Sequence, residues 1–198
     1  MKGKLIALSI IEISILLFFV PHVLGNTDTE VHTITPQPIA AQEEAAPIQI
    51  IEPVKEYRYI QGCPLSLELQ QGIFDICEGY NVSFEFVMAV IAQESSFDIS
   101  ATGDGGDSKG LMQIQEKWHS ELMEELGVTD LYKPLDNVEV GVALLQSYFM
   151  ECEDVYYVLM KYNGGAKYAK DMRKAGKVSE YAREIVERAV TYELENDI

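Results

Sequence analysis

From residue 64 onward, apolar positions recur at helical spacing. Leu69, Ile73, Ile76 and Tyr80 fall at i, i+4, i+7 and i+11, one face of a helix, and Gly79 reads as its stop. Ser83 is a ready N-cap for a second helix with the stripe Phe84, Val87, Met88 and Ile91. Residues 98–110 interrupt the pattern with four glycines and two serines. A helix over about 115–126 ends at Gly127. Pro134 and Asp136 open the next, with Val138, Val142, Leu145 and Phe149 in register. Asp154–Tyr162 predicts a short apolar helix closed by Asn163-Gly164-Gly165. Two more follow over about 166–175 and 179–195, separated by Gly176 and capped by Ser179. No segment sustains period-two alternation. The pattern predicts an all-α domain over residues 61–198, an orthogonally packed bundle of short helices.

The preceding residues follow a different logic. Lys2 and Lys4 precede a nearly apolar run, Leu5–Val20, which Pro21 ends and Val23-Leu24-Gly25 follows. Residues 1–25 therefore read as a signal peptide or a membrane anchor. Sixteen residues fall short of the ~20 that span a ~30 Å hydrocarbon layer. Glu12 inside the run is costly for a permanent span. Either reading places the rest outside the cytoplasm, secreted or held at the outer face of the membrane through residues 5–20. Residues 26–60 carry Pro36, Pro38, Pro47 and Pro53 among Thr, Gln, Ala and Glu, and read as a flexible linker.

Composition narrows the partners. Of 198 residues, 15 are Lys or Arg against 32 Asp or Glu, a formal net charge of −17. Sequence-independent nucleic-acid binding needs cations to displace counterions, so that class is excluded. The acidity is uneven. Residues 75–160 carry 17 acids and 3 bases, whereas 161–188 carry 8 bases and 4 acids. The basic stretch reads as a solvated helix face or as a patch toward an anionic ligand. Cys63, Cys77 and Cys152 lack zinc spacing, and an odd count leaves at least one thiol unpaired. A pairing with Cys152 and three unpaired thiols both remain open.

One carboxylate sits on the wrong face. Glu94 is three residues after Ile91 and seven after Val87, on the apolar stripe of its helix and in the last turn. Desolvation and the negative end of the helix dipole both disfavour its charged form. A Glu kept protonated near neutral pH can act as a general acid.

The surroundings of Glu94 form an ordered set. Glu94-Ser95-Ser96-Phe97 is followed by Gly110-Leu111-Met112-Gln113-Ile114 and then by Tyr162-Asn163-Gly164-Gly165. In order and spacing this resembles the lytic transglycosylase domain of the soluble lytic transglycosylases, relatives of goose-type lysozyme, over roughly residues 64–190. The resemblance implies a lysozyme-like fold and cleavage of the β-1,4 bond between N-acetylmuramic acid and N-acetylglucosamine in peptidoglycan. It implies Glu94 as the catalytic acid and base. It implies Ser95, Gly110, Met112, Gln113, Tyr162, Asn163 and Tyr181 as residues of the substrate site. Gly110, Met112 and Gln113 match the segment lining the glycan groove. Tyr162 and Asn163 match the motif whose tyrosine hydroxyl bonds the catalytic carboxyl. Tyr181 falls near the last aromatic at the cleft, and Lys177 stands where the family often carries Glu. No metal and no cofactor are implied. Without the resemblance, Met112 and Ile114 suit an ordinary core, and Tyr162 suits packing.

Two chemistries fit one Glu. In the route the resemblance implies, Glu94 protonates the leaving oxygen, the acetamido group of the muramic acid attacks C1, and a 1,6-anhydro ring closes. In a lysozyme-type hydrolase a second carboxylate positions water, and Asp98, Asp104 and Asp107 are the candidates. Asp104-x-x-Asp107 superficially matches calcium ligands but lacks further oxygens at the right offsets. His119 is an alternative base. The rival readings are a non-catalytic peptidoglycan-binding module and, compatible with catalysis, a factor opening the wall for an envelope-spanning assembly, its partner unidentified.

Overall fold

The computed structural model describes residues 59–196. The candidate signal or anchor segment and nearly all of the linker lie outside the described residues. Ile60, expected as the last linker residue, is buried in the core, and its amide donates to Gln70 Oε1 at 2.8 Å. The described residues form six α-helices and one small sheet. The predominantly helical class is as the periodicity predicts.

Helix α1, Leu67–Tyr80, starts where Ser66 Oγ accepts the Leu69 amide at 3.2 Å. It runs through Gly79 and ends one residue later. Asn81, in the left-handed region (φ 53°), is the cap rather than the glycine. Helix α2, Phe84–Ser95, is capped by Ser83 as its sequence predicts. Every residue from Phe84 to Ala92 is buried, so α2 is the central helix, with α1 and α6 packed against it. Burial all round stabilises it by roughly 1.5–3 kcal/mol for each large aliphatic side chain, offset in part by ordering entropy.

Helices α3 (Glu116–Leu126) and α4 (Pro134–Glu151) follow, and α4 packs on α1 and α5. Helix α5 is continuous over Val155–Lys174 apart from a break at Gly165, whose φ of 79° and ψ of 169° no helix accommodates. The two short helices expected on either side of Asn163-Gly164-Gly165 are its two halves. Helix α6, Glu180–Asn196, completes the bundle.

The glycine-rich interval contains what periodicity could not show. Thr102–Gly103 (β1), Ser108–Lys109 (β2) and Ile114–Gln115 (β3) form an antiparallel sheet in the order β1-β2-β3. Thr102 faces Lys109 and Lys109 faces Ile114. Two-residue strands are too short to display alternation. The sheet folds the interval back beside the end of α2, where Glu94 sits. Cys63, Cys77 and Cys152 are all free, so the pairing with Cys152 is not formed. Among the described residues, no helix is long and apolar enough to cross a membrane.

Candidate active site

A groove of about 690 Å³ opens beside the C-terminal end of α2. Glu94 lines it. The sheet contributes Gly103, Ser108, Ile114 and Gln115, the turns between its strands contribute Asp104 and Gln113, and α3 contributes Trp118 and His119. Leu144 and Tyr148 come from α4, and residues 161–165 from α5.

The Glu94 carboxyl is half-buried, and burial raises its pKa above the ordinary 4.5. A hydrogen bond from the Tyr181 hydroxyl to Oε1 pulls the other way, and the negative charge of Asp104 raises it further. Tyr181 is itself held well above the usual phenol range, by burial first and by the charge of Glu94 second. It therefore remains a donor. The net result is a carboxyl with enhanced proton affinity facing a polar groove, the state required of a general acid.

The donor to Glu94 is thus Tyr181 and not Tyr162. The Tyr162 hydroxyl donates to the Met112 carbonyl at 2.8 Å. The expectation that the tyrosine of Tyr162-Asn163 bonds the catalytic carboxyl is corrected. The reason lies in packing, since α6 runs along α2 and brings position 181 to position 94. Tyr162 still lines the groove, with its own pKa raised by burial and then by the charge of Glu94.

The segment 109–113 is pinned from below. Asn137, fully buried on α4, accepts the Met112 amide at 2.8 Å and donates to Lys109 O at 2.8 Å and Leu131 O at 2.9 Å. Gly110 has φ 72°, and a Cβ there would lie 2.5 Å from Leu131 O. Met112 is fully buried against Gly141. Gly110 and Met112 therefore lie beneath the groove rather than on its wall, contrary to expectation. Ser95 is also off the wall, its hydroxyl donating to Ile91 O at 3.2 Å. Gln113 does line the groove, although its Nε2 is committed to Gly110 O at 3.0 Å and Ala101 O at 3.2 Å. Asn163 lines it and is exposed.

The loop carboxylates separate cleanly. Asp98 caps its own turn, accepting from the Ser100 amide and hydroxyl. Asp107 pairs with Lys117. Asp104 alone of the three lines the groove, with Oδ2 accepting from Ser108 Oγ at 2.7 Å and Gln115 Nε2 at 2.8 Å. Asp104 and Asp107 thus serve different partners. Among the described residues, no group of three or more His, Cys, Asp or Glu is placed to hold a metal ion.

Sequence reasoning missed Ser108, Gln115, Trp118, Tyr148 and Lys161 as groove residues. The Lys161 ammonium pairs with Glu151 at 2.6 Å and sits 3.9 Å from the Tyr148 ring centroid. Two of these carried a signal, Trp118 as the sole tryptophan of the chain and Lys161 as the first residue of the basic stretch. His119 also lines the wall, and burial lowers its pKa, which keeps it neutral at pH 7.

Known proteins resemble this chain in sequence and in fold. The chain is 34% identical over 90 residues to a transglycosylase of Enterobacteria phage PRD1, covering 46% of this chain and 32% of that protein. It is 33% identical over 105 residues to the membrane-bound lytic murein transglycosylase F of Desulfosudis oleivorans, covering 50% of this chain and 22% of that one. It thus spans about a third or less of these curated relatives. The fold matches an inactive mutant of the lytic transglycosylase Slt of Pseudomonas aeruginosa, with TM-score 0.56 and 18% identity over 64% of this chain and 24% of that one. It also matches the 70 kDa soluble lytic transglycosylase of Escherichia coli, with TM-score 0.54 and 17% identity over 63% and 24%. The family described as Transglycosylase SLT domain matches residues 73–184, more than half of the chain, and the protein belongs to that family.

Proposed function

We propose that this chain is a peptidoglycan lytic transglycosylase. It cleaves the β-1,4 bond between N-acetylmuramic acid and N-acetylglucosamine and leaves a 1,6-anhydro product. The observation that carries the reading is Glu94, a carboxyl of raised proton affinity on the wall of a groove and hydrogen-bonded by Tyr181. Family membership and the printed names of the relatives support the substrate class.

In this mechanism Tyr181 occupies Oε1 and leaves Oε2 for the substrate. Neutral Glu94 gives its proton to the leaving glycosidic oxygen. The acetamido oxygen of the muramic acid attacks C1 from within the same sugar, at high effective molarity. Glu94, now a carboxylate, takes the proton of the C6 hydroxyl as that oxygen bonds to C1 and displaces the acetamido oxygen. The proton count closes, and no water is consumed. Gln113, Tyr162 and Asn163 contact the glycan, while Ser95, Gly110 and Met112 act by holding the frame beneath it.

Asp104 motivates a second reading. It is an exposed carboxylate on the same groove, anchored through one oxygen, with a charge that Glu94 feels. In a lysozyme-type hydrolase Asp104 would orient the attacking water. Mass spectrometry of digested peptidoglycan separates the two. Anhydro-muramyl ends, lighter by one water, support the transglycosylase, and reducing ends support the hydrolase.

Glu94→Gln tests the shared core. Cleavage is lost while circular dichroism stays that of the parent, and turnover near the parent rate would end the proposal. A parent protein that binds glycan and releases no product would instead be a binding module. Peptidoglycan lies outside the cytoplasmic membrane, so the proposed site of action is extracytoplasmic. Secretion or attachment through residues 5–20 both deliver the domain there.

A further inference from the structure

The basic stretch 161–188 carries eight cations, and one of them, Lys161, lines the groove. It is the single Lys or Arg among the lining residues, whose acids are Glu94 and Asp104. Lys167, six residues further along α5, is solvated and pairs with Asp171 instead.

Lys161 is held in place. Its side chain is 12% exposed, so its aliphatic stem is packed away from water. The ammonium lies 3.9 Å from the ring centroid of Tyr148, which lines the same groove from α4. It also donates to Glu151 Oε2 at 2.6 Å. Glu151 ends α4, is 60% exposed and stands off the groove wall. A pair with so exposed an acid contributes little to stability. An ammonium has three N–H donors, and Glu151 takes one. The result is a cation seated on an aromatic ring, with donor capacity left for a second anion. Tyr162 responds to both Glu94 and Tyr148, so it neighbours the two. Lys161 therefore lies along the groove from the reacting carboxyl, beyond Tyr162 and Tyr148.

We propose that Lys161 is a specificity-determining residue that binds a carboxylate on the C3 lactyl arm of muramic acid and thereby sets the register of the glycan strand. The two sugars alternate along the strand and share the same ring and acetamido group. Only muramic acid bears the lactyl ether. Its arm ends in a carboxylate or, where a stem peptide is attached, leads to the carboxylates of that peptide. One cation in a groove whose other charges are acidic separates the two sugars by charge alone. A strand displaced by one sugar offers Lys161 no carboxylate and brings C1 of N-acetylglucosamine to Glu94. The inference rests on the groove being a glycan-cleaving site.

The Glu94→Gln variant, which does not consume its ligand, is titrated calorimetrically with three soluble glycan strands. One is stripped of stem peptides, one is stripped and then converted to its methylamides, and one retains its peptides. A carboxylate-bearing strand is expected to bind roughly five- to tenfold more tightly than the methylamide strand. Adding Lys161→Met should abolish that preference. Adding Glu151→Gln, which releases the ammonium from its acid, should widen it, and this arm stands even where Lys161→Met fails to fold. Preference for the stripped strand identifies the lactyl carboxylate as the ligand, and preference for the intact strand identifies the peptide carboxylates. Affinities for all three strands within about twofold, a preference that survives Lys161→Met, or one that narrows in Glu151→Gln overturns the proposal. The two failures are distinct. Cleavage surviving in Glu94→Gln, or binding of none of the strands, sinks the proposed function, whereas equal binding of all three sinks only the role of Lys161.

Discussion

Asn137 offers a sharp test of how the groove is held. It is fully buried, and its amide serves three backbone groups: the Met112 N–H, the Lys109 carbonyl and the Leu131 carbonyl. Asn137→Leu keeps a similar volume and removes every polar partner. One N–H and two carbonyls then lose their bonds, and each such group costs about 1–3 kcal/mol. Two of the three bonds with Asn137 are fully buried and one is part-buried. The sum is therefore taken near the low end, about 3–5 kcal/mol. A domain of this size would lose roughly 10 °C or more in Tm. Urea unfolding followed by circular dichroism measures it, as a lower midpoint at unchanged m-value. Activity should fall further than stability alone explains, in buffer where the variant is still folded. Met112 O, the acceptor for Tyr162, and Gln113 on the groove wall both lose their reference point. A destabilisation below about 1 kcal/mol would refute the view that one buried amide organises the segment.

Other consequences concern Glu94. The charge of Asp104 raises its pKa and the Tyr181 hydrogen bond lowers it. A general acid is lost as pH rises through its pKa, so Asp104→Asn should move the alkaline limb of kcat/KM to lower pH and Tyr181→Phe to higher pH. Shifts in the same direction would contradict the geometry. Stability follows the same linkage. Between the ordinary 4.5 and its raised folded value, Glu94 binds more protons in the native state than in the unfolded chain. Its contribution is full below 4.5 and is lost as pH rises through the folded pKa. Glu94→Gln lacks that loss, so its stability relative to the parent should climb with pH across this window and then level off. Denaturant midpoints over a pH series measure this, and a difference that declines with pH would count against a desolvated carboxyl.

The helices were legible in the sequence because a helix answers to its neighbours three and four residues away. Ser83 before Phe84 and the stripe through Val87 and Ile91 placed α2, and the same local count put Glu94 on its apolar side. The small sheet was not legible, because two-residue strands owe their existence to partners across a turn. Neither was the assignment of the tyrosines. Which hydroxyl meets Glu94 depends on α6 lying along α2, across 87 residues of chain, and that selects Tyr181 over Tyr162. Gly110 and Met112 could not be told from groove residues until α4 placed Asn137 and Gly141 against them. The sequence by itself thus determined the helices and the misplaced carboxyl, both properties of a single turn of chain. The tertiary structure decided what surrounds that carboxyl, because burial, hydrogen-bond partners and charge at one point in space are sums over residues that only packing brings together.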